Sequence, residues 1–352
     1  MAGRLDVGDL TAFSVLLANM AMLLMSLAWV LTAISRGFIS LRRVRAVQDV
    51  DPGVPVPTTD RAFDTPPRVE IRDLVFRYPN ADTDALRDIT VTIEPGATLG
   101  IFGRTGAGKT TLVELLARVH DVPKGAVTFD GTDARAFDLA RMRARMAVVP
   151  QTPFLFSTSL RDNIRLRGEI SGHRLTTDAA EDPVGKLGVA PVSEAEVFEQ
   201  EASQGGIDHG LLRVLEQSSL ADDIGGLPEG LDTIVGERGV MLSGGQRQRA
   251  ALARALYRSP NLLLLDDVLS AVDQRTEARL VDAIRSLGSQ GQSPTTVIVS
   301  HRTSALEHAD EILVLEDGRV VERGSHAALI DLGGEYAQAH VHQARQEDAQ
   351  DG

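Results

Sequence analysis

Gly103-Arg-Thr-Gly-Ala-Gly-Lys-Thr110 carries the clearest chemistry in this chain. It fits the pattern G-x-x-x-x-G-K-[ST], follows a short apolar strand (Ala97–Phe102) and precedes a helical pattern. Glycines let successive backbone N–H groups converge on phosphate oxygens. The helix N-terminus adds partial positive charge. Lys109 is expected to reach the β- and γ-phosphates of a nucleoside triphosphate, and Thr110 to hold Mg²⁺. Leu262–Asp266 is a matching acidic strand. Asp266 falls at its C-terminal end, where parallel sheets bind ligands and where it would hold the same ion. Taken alone this signal is weak, because Asp after an apolar strand is common at turns. Between the two motifs lies Leu242-Ser-Gly-Gly-Gln246, ahead of a helix over Arg247–Tyr257. Ser243 offers a hydroxyl donor, and Gly244 and Gly245 leave room at a helix N-terminus.

These residues need a scaffold, and the hydrophobic pattern supplies one. Val69 and Ile71 alternate with charged residues, as in a half-exposed strand. Leu112, Leu115, Leu116 and Val119 recur at helical spacing over Thr111–Val119. Leu262–Leu265, Thr296–Val299 and Ile312–Leu315 are continuous apolar runs, as expected of strands buried on both faces. Asp317-Gly318 predicts a hairpin turn into Val320-Val321. Strands alternating with helices predict an α/β sheet.

The chain has 352 residues, 43% of them hydrophobic, which is enough for about two domains. Its net charge of −13 argues against nucleic acid as the main partner. There is no cysteine, which excludes disulfides, thiolate zinc sites and a cysteine nucleophile. Leu10–Ile34 contains no charged residue and exceeds the ~20 apolar residues that span a bilayer core. A signal peptide would need a basic start, but Arg4 is outnumbered by Asp6 and Asp9. The run is therefore expected to be a transmembrane helix in contact with lipid. Arg36, Arg42, Arg43 and Arg45 follow it and predict a cytoplasmic C-terminal end. Residues 1–50 are thus a membrane helix with its cytoplasmic extension, and residues 51–67 a proline-rich linker. Residues 68–345 form the nucleotide-binding domain, with an acidic flexible insertion at 168–206 and a disordered tail at 346–352.

The Leu242–Gln246 motif between the two phosphate-site motifs resembles the exporter class of ATP-binding cassette transporters, and the likeness spans nearly the whole chain. The resemblance implies a P-loop NTPase cassette: a parallel-sheet core, an antiparallel β subdomain and a helical subdomain, preceded here by one membrane helix. It implies ATP and Mg²⁺ as ligands, and two ATP molecules between facing domains. Each site then pairs the phosphate loop of one domain with the LSGGQ of the other. Around the nucleotide it places Gly103, Arg104, Thr105, Gly106, Ala107, Gly108, Lys109, Thr110 and Thr111, and from the facing cassette Ser243, Gly244, Gly245 and Gln246. Tyr78, in Phe-Arg-Tyr-Pro, looks like the aromatic that stacks on adenine. Gln151, in Val-Pro-Gln-Thr-Pro, looks like the glutamine that senses Mg²⁺ and contacts the membrane domain. Asp273 looks like the residue that communicates across the dimer, and His301 like the switch histidine at the γ-phosphate. Thr233–Gly239 resembles a segment typical of exporters. The implied setting is a plasma or inner membrane with the cassette in the cytoplasm.

Two departures from the pattern bear on function. Exporters carry glutamate after the Mg²⁺-binding aspartate, whereas this chain has Asp267, one methylene shorter. That residue orients or activates the attacking water. The substitution favours a heterodimer with a second half-transporter, in which this chain's own site is slow and its LSGGQ completes the partner's site. The other departure is a single membrane helix where a half-transporter has a full set. The missing helices are expected either in a separate polypeptide or upstream of a truncated reading frame. The competing expectations are a soluble cassette ATPase and a truncated cassette that only docks on a partner and regulates it.

Overall fold

In the computed structural model, residues 7–49, 54, 61–79, 81–166, 208–236, 239–268, 280 and 293–348 are described. The chain divides into two units, Met1–Gly53 and Val54–Gly352. The first consists of one helix, α1 (Val7–Gln48). At 1.5 Å per residue its 42 residues reach about 63 Å, roughly twice a bilayer's hydrocarbon core. Its most apolar window has a mean hydropathy of 2.0, and none of its residues is buried by protein. Thr11, Ser14, Ser26 and Thr32 donate their hydroxyls to carbonyls three or four residues back. Those bonds satisfy the polar groups inside the segment, as an apolar environment requires.

The second unit is built on two sheets. β1 (Val69–Phe76) pairs antiparallel with β2 (Leu86–Ile93). β3 (Thr98–Gly103) leads through the glycine-rich loop into α2 (Lys109–Leu116). β4 (Val127–Phe129) and β5 (Thr132–Asp133) complete a four-stranded sheet in the order β2-β1-β4-β5. α3 (Leu139–Ala144) and β6 (Met146–Val149) follow. A helical region comes next, with α4 (Leu160–Arg165), α5 (His209–Gln217), α6 (Ala221–Ile224) and α7 (Gly244–Tyr257). The chain then forms β7 (Leu262–Asp266), β8 (Thr295–Val299), β9 (Glu311–Glu316), β10 (Arg319–Gly324), α8 (His326–Leu332) and α9 (Glu335–Asp348). The larger sheet runs β10-β9-β3-β8-β7-β6, parallel except for the antiparallel β10.

β7 and β8 are buried at every position, as their unbroken apolar runs predict. Alternate side chains serve two cores. Leu262 and Leu264 pack with α2 and the antiparallel sheet, whereas Leu263 and Leu265 pack with α7. The expected hairpin turn is present, with Asp317 at φ 47° and Gly318 at φ 78°. Gly318 donates its N–H to the Ala107 carbonyl (3.2 Å) and accepts from the Arg87 N–H (2.7 Å), which ties the hairpin tip to the phosphate loop.

Three expectations are corrected. Val119 is 53% exposed and not on the apolar face of α2. The helix ends at Leu116, and Arg118 turns left-handed at φ 50°, which breaks the spacing. Glu70 is buried where alternation predicts exposure. β1 is an interior strand, and the carboxylate is clamped between the Arg68 and Arg72 guanidinium groups. The cassette's packing also starts before Arg68. Phe63 is 3% exposed among Phe129 and Phe137, so the end of the proline-rich stretch belongs to the core. The insertion at 168–206, residues 1–6, most of 50–60 and residues 349–352 of the tail expected at 346–352 lie outside the described residues, whereas 346–348 are the last turn of α9.

Thr295 fastens this early segment to the parallel sheet. Its buried hydroxyl donates to the Pro67 carbonyl (2.7 Å) and accepts from the Gly96 N–H (3.1 Å). Thr295→Val keeps the shape but leaves both backbone groups without that partner. We expect a loss of about 2 kcal/mol of stability, read as a lower denaturant midpoint at unchanged slope. An unaltered midpoint would refute the role of this bond.

Candidate nucleotide site

Four parallel strands end at one edge of the sheet, and every sequence-predicted phosphate-site residue of this chain follows one of them. β3 delivers Gly103 and the phosphate loop, and β7 delivers Asp266 and Asp267. β6 ends two residues before Gln151, and β8 ends two residues before His301. Parallel register aligns these ends: Val149 pairs with Leu265, and Asp266 pairs with Val299. This edge is where open α/β sheets bind ligands.

The loop backbone requires glycine at its two most crowded points. Gly103 sits at φ 154°, and a Cβ there would lie 2.3 Å from the Leu315 carbonyl oxygen. Gly108 sits at φ 98°, and a Cβ would meet the Ala85 oxygen and Leu86 Cδ2 at 2.7 Å. A side chain at either point would push the loop off β9 or off the start of β2. Gly108 is also the N-cap of α2 and offers no capping side chain, so the first-turn N–H groups stay available to an anion. Lys109 curls back to donate to the carbonyls of Gly103 (2.7 Å) and Arg104 (2.8 Å). Burial pushes its ammonium pKa down, and Asp267 and Asp266 oppose that shift. Arg104, by contrast, faces solvent and pairs with Glu335 at 3.1 Å.

Asp266 is 4% exposed. Burial pushes its carboxyl pKa up, while a hydrogen bond from Thr110 opposes the rise and Asp267 adds to it. A buried carboxylate crowded by a second one suits a divalent cation, and the Thr110 hydroxyl is already bonded to it. Among the described residues no cluster of three or more His, Cys, Asp or Glu could hold a metal. The donors that the sequence reading assigns to an ion here are one carboxylate, one hydroxyl and the Gln151 amide. This sparse set fits Mg²⁺, which keeps several waters and takes phosphate oxygens.

Gln151, Asp267 and His301 meet through hydrogen bonds despite their separation in sequence. Gln151 Nε2 donates to Asp267 Oδ2 at 3.1 Å, and His301 Nδ1 lies 2.9 Å from Asp267 Oδ1. The Asp267 backbone is left-handed at φ 52°, a conformation that aspartate tolerates better than most residues. Its N–H donates to the Val299 carbonyl at 2.9 Å. Tyr78 stands beside α2. Its hydroxyl is 3.0 Å from Thr111 Oγ1 and donates to Glu114 Oε2 at 3.2 Å, and its ring packs edge-on against Phe76 and His120.

Ser243 is exposed and is the N-cap of α7. Its hydroxyl accepts from the Gln246 N–H (3.2 Å), and its own N–H donates to Gln246 Oε1 (2.9 Å), a reciprocal capping box. The helix thus starts at Gly244, three residues before the predicted Arg247. No Cβ clash constrains Gly244, which leaves its face open. Downstream, Arg254 of the same helix donates to the carbonyls of Asn163 (2.8 Å) and Phe154 (3.0 Å). Burial pulls its guanidinium down to about 10. Gln248 Nε2 reaches the Gln151 carbonyl at 3.4 Å. One helix therefore carries the Ser243 motif and braces the loop behind Gln151. Sequence reasoning missed Glu114, Gln248 and Arg254, whose partners here lie 36 to 100 residues away and leave no local pattern. Asp273 lies outside the described residues, as do Glu237 and Arg238 in Thr233–Gly239.

The family model described as "ABC transporter" matches residues 86–270. The multidrug resistance-like ATP-binding protein MdlA of Escherichia coli (strain K12) is 38% identical over 346 residues, covering 97% of this chain and 51% of that protein. An ATP-dependent lipid A-core flippase of Aromatoleum aromaticum is 35% identical over 350 residues, covering 99% and 52%. A solved structure of a bacterial Atm1-family ABC exporter with ATP bound matches with a TM-score of 0.72 at 31% identity, covering 97% of this chain and 54% of that one. The chain spans about half the length of the curated relatives it matches.

Proposed function

The chain belongs to the ABC transporter family, and from that premise we propose that it binds and hydrolyses ATP·Mg²⁺ as a subunit of a membrane exporter. The observation that carries this reading is the convergence of Lys109, Thr110, Asp266, Gln151, Asp267 and His301 at one sheet edge. Lys109 and the loop N–H groups bind the phosphates. Thr110, Asp266 and Gln151 would hold the magnesium ion, which, when bound, supplies charge neutralisation to the phosphate oxygens. Asp267 orients the attacking water, and His301 and Gln151 hold its two carboxylate oxygens in place. Tyr78 provides the aromatic surface for adenine. Asp273 would answer to the facing cassette. In this reading the apolar part of α1 sits in lipid, and the arginines after it support a cytoplasmic cassette. Two relatives, a multidrug resistance-like protein and a lipid A-core flippase by name, suggest an amphipathic or lipid-like cargo.

The functional unit is a pair of cassettes, because Ser243 and Gly244 face outward and the Ser243 hydroxyl is held in its own helix cap. We favour a heterodimer. Asp267 makes this chain's site slow, while its Ser243–Gln246 segment completes the partner's faster site. Gly245→Asp would set a carboxylate against the partner-bound γ-phosphate, and repulsion in a partly desolvated site would prevent closure. Lys109→Ala would damage the slow site alone. ATPase assays on the assembled pair are expected to lose more turnover with Gly245→Asp than with Lys109→Ala. The reverse order would make this chain's own site the main engine and overturn the slow-site assignment.

A further inference from the structure

The loop carrying His301 is gripped from behind by the C-terminal helix. Gln343 Nε2 donates to the His301 carbonyl at 2.8 Å, while its Oε1 accepts from the Thr303 N–H (2.9 Å) and the Thr303 hydroxyl (3.0 Å). One amide therefore pins the backbone on both sides of Arg302. Two more residues of α9 close on the same loop. His340 Nδ1 lies 3.0 Å from Thr303 Oγ1, and the Tyr336 hydroxyl donates to the Thr303 carbonyl at 3.2 Å. Since the Thr303 hydroxyl donates to Gln343, His340 must present Nδ1–H to it.

The helix is itself a firm base. Its first N–H groups, at Glu335 and Tyr336, donate to the Glu322 carboxylate, which favours the positive end of the helix. Tyr336 is fully buried, its ring edge-on to Phe102 at 5.2 Å, so the base is fixed to the strand that feeds the phosphate loop. By contrast, the His301 side chain is 55% exposed, and its described hydrogen bond is to Asp267. Little packing fixes the imidazole, so its backbone decides where it stands.

We propose that Gln343 is a positioning residue for hydrolysis. Through the His301 carbonyl and the Thr303 N–H, α9 sets the imidazole within hydrogen-bonding distance of Asp267. The kinetic part of this inference rests on the hydrolytic reading of His301 and Asp267 given above, whereas the geometric part does not. Gln343→Leu removes all three bonds with little change of size. Gln343→Glu keeps an acceptor for Thr303 but opposes the His301 carbonyl with a second oxygen.

The test uses the full chain in detergent, with two readouts. In phosphate release, Gln343→Leu and Gln343→Glu are both expected to lower kcat about tenfold, with KM for ATP near the wild-type value and, for Gln343→Leu, a melting temperature lowered by the lost bonds to buried Thr303. In NMR spectra, the imidazole signals of His301 are expected to move in Gln343→Leu toward their positions in Asp267→Asn, because both changes break the same contact. Unmoved His301 signals would overturn the proposal whatever the rates. So would a Gln343→Glu variant with wild-type kcat, or a kcat loss matched by an equal loss of ATP affinity. If His301→Ala leaves phosphate release intact, the hydrolytic role of His301 fails, and the NMR shift still decides whether Gln343 positions the ring.

Discussion

Lys109→Ala is expected to weaken ATP·Mg²⁺ binding by about 100-fold while leaving the fold intact. The ammonium lies inside the phosphate loop, 2.7 Å and 2.8 Å from two loop carbonyls; burial pushes its pKa down, and two buried carboxylates only oppose that shift. Bound phosphates would replace those carbonyls as its partners. A hydrogen bond to a charged group is worth about 1.5–3 kcal/mol. Losing the contacts to two phosphates therefore costs about 3 kcal/mol at least, and each 1.4 kcal/mol is tenfold in affinity. The fold tolerates the change because the loop's shape rests on Gly103, Gly108 and the Gly318 hairpin, not on the lysine chain. Calorimetric titration of ATP·Mg²⁺ into both proteins is the measurement, with melting curves as the control. Equal affinities would remove the phosphate-site assignment.

Asp267→Glu is expected to raise phosphate release at saturating ATP, by up to about 100-fold, with unchanged ATP affinity. The present carboxylate is held back by Gln151 and His301 and is one methylene short of the glutamate that the family pattern carries. A longer side chain advances it by about 1 Å. Misplacement on that scale costs about 10²-fold in rate, or roughly 2.7 kcal/mol of barrier. A second effect runs the other way. The backbone at this position is left-handed, φ 52°, which glutamate tolerates less well than aspartate. The variant is therefore expected to melt slightly lower while turning over faster. Steady-state phosphate release and a melting curve separate the two effects, provided that self-association of the variant matches wild type. A rate equal to or below wild type would mean that the missing methylene does not limit turnover.

The site was largely legible in the sequence because its chemistry is local. A phosphate loop needs glycines, a lysine and a hydroxyl within eight residues, since neighbouring backbone N–H groups must face one anion. Buried parallel strands need unbroken apolar runs, so Leu262–Leu265 and Thr296–Val299 declared both their burial and their kinship. The Asp317-Gly318 turn followed from its steric preferences alone. Leu10–Ile34 was visible for the same reason, because an apolar helix of that length satisfies its backbone internally and needs no partner to be recognised.

Helix ends and strand faces were less legible because they depend on neighbours. Val119 kept the helical spacing of α2, but the chain had already turned at Arg118. Glu70 looked solvated until its strand proved to be interior, with arginines on either side to neutralise it. Phe63 sat in a proline-rich stretch whose composition says linker, yet a pocket between Phe129 and Phe137 captures it.

Sequence alone determined the phosphate loop, its acidic strand and the membrane-length helix, since each is a short-range pattern with one steric or electrostatic solution. Only tertiary structure decided that Gln151 and His301 share the carboxylate of Asp267, and that Gln343 grips the His301 backbone from 42 residues away. A single amide reaching a carbonyl across the fold has no periodicity and no composition. Its partner is chosen by the parallel register of β7 and β8 and by the docking of α9 on Phe102, and these exist only once the sheet has formed.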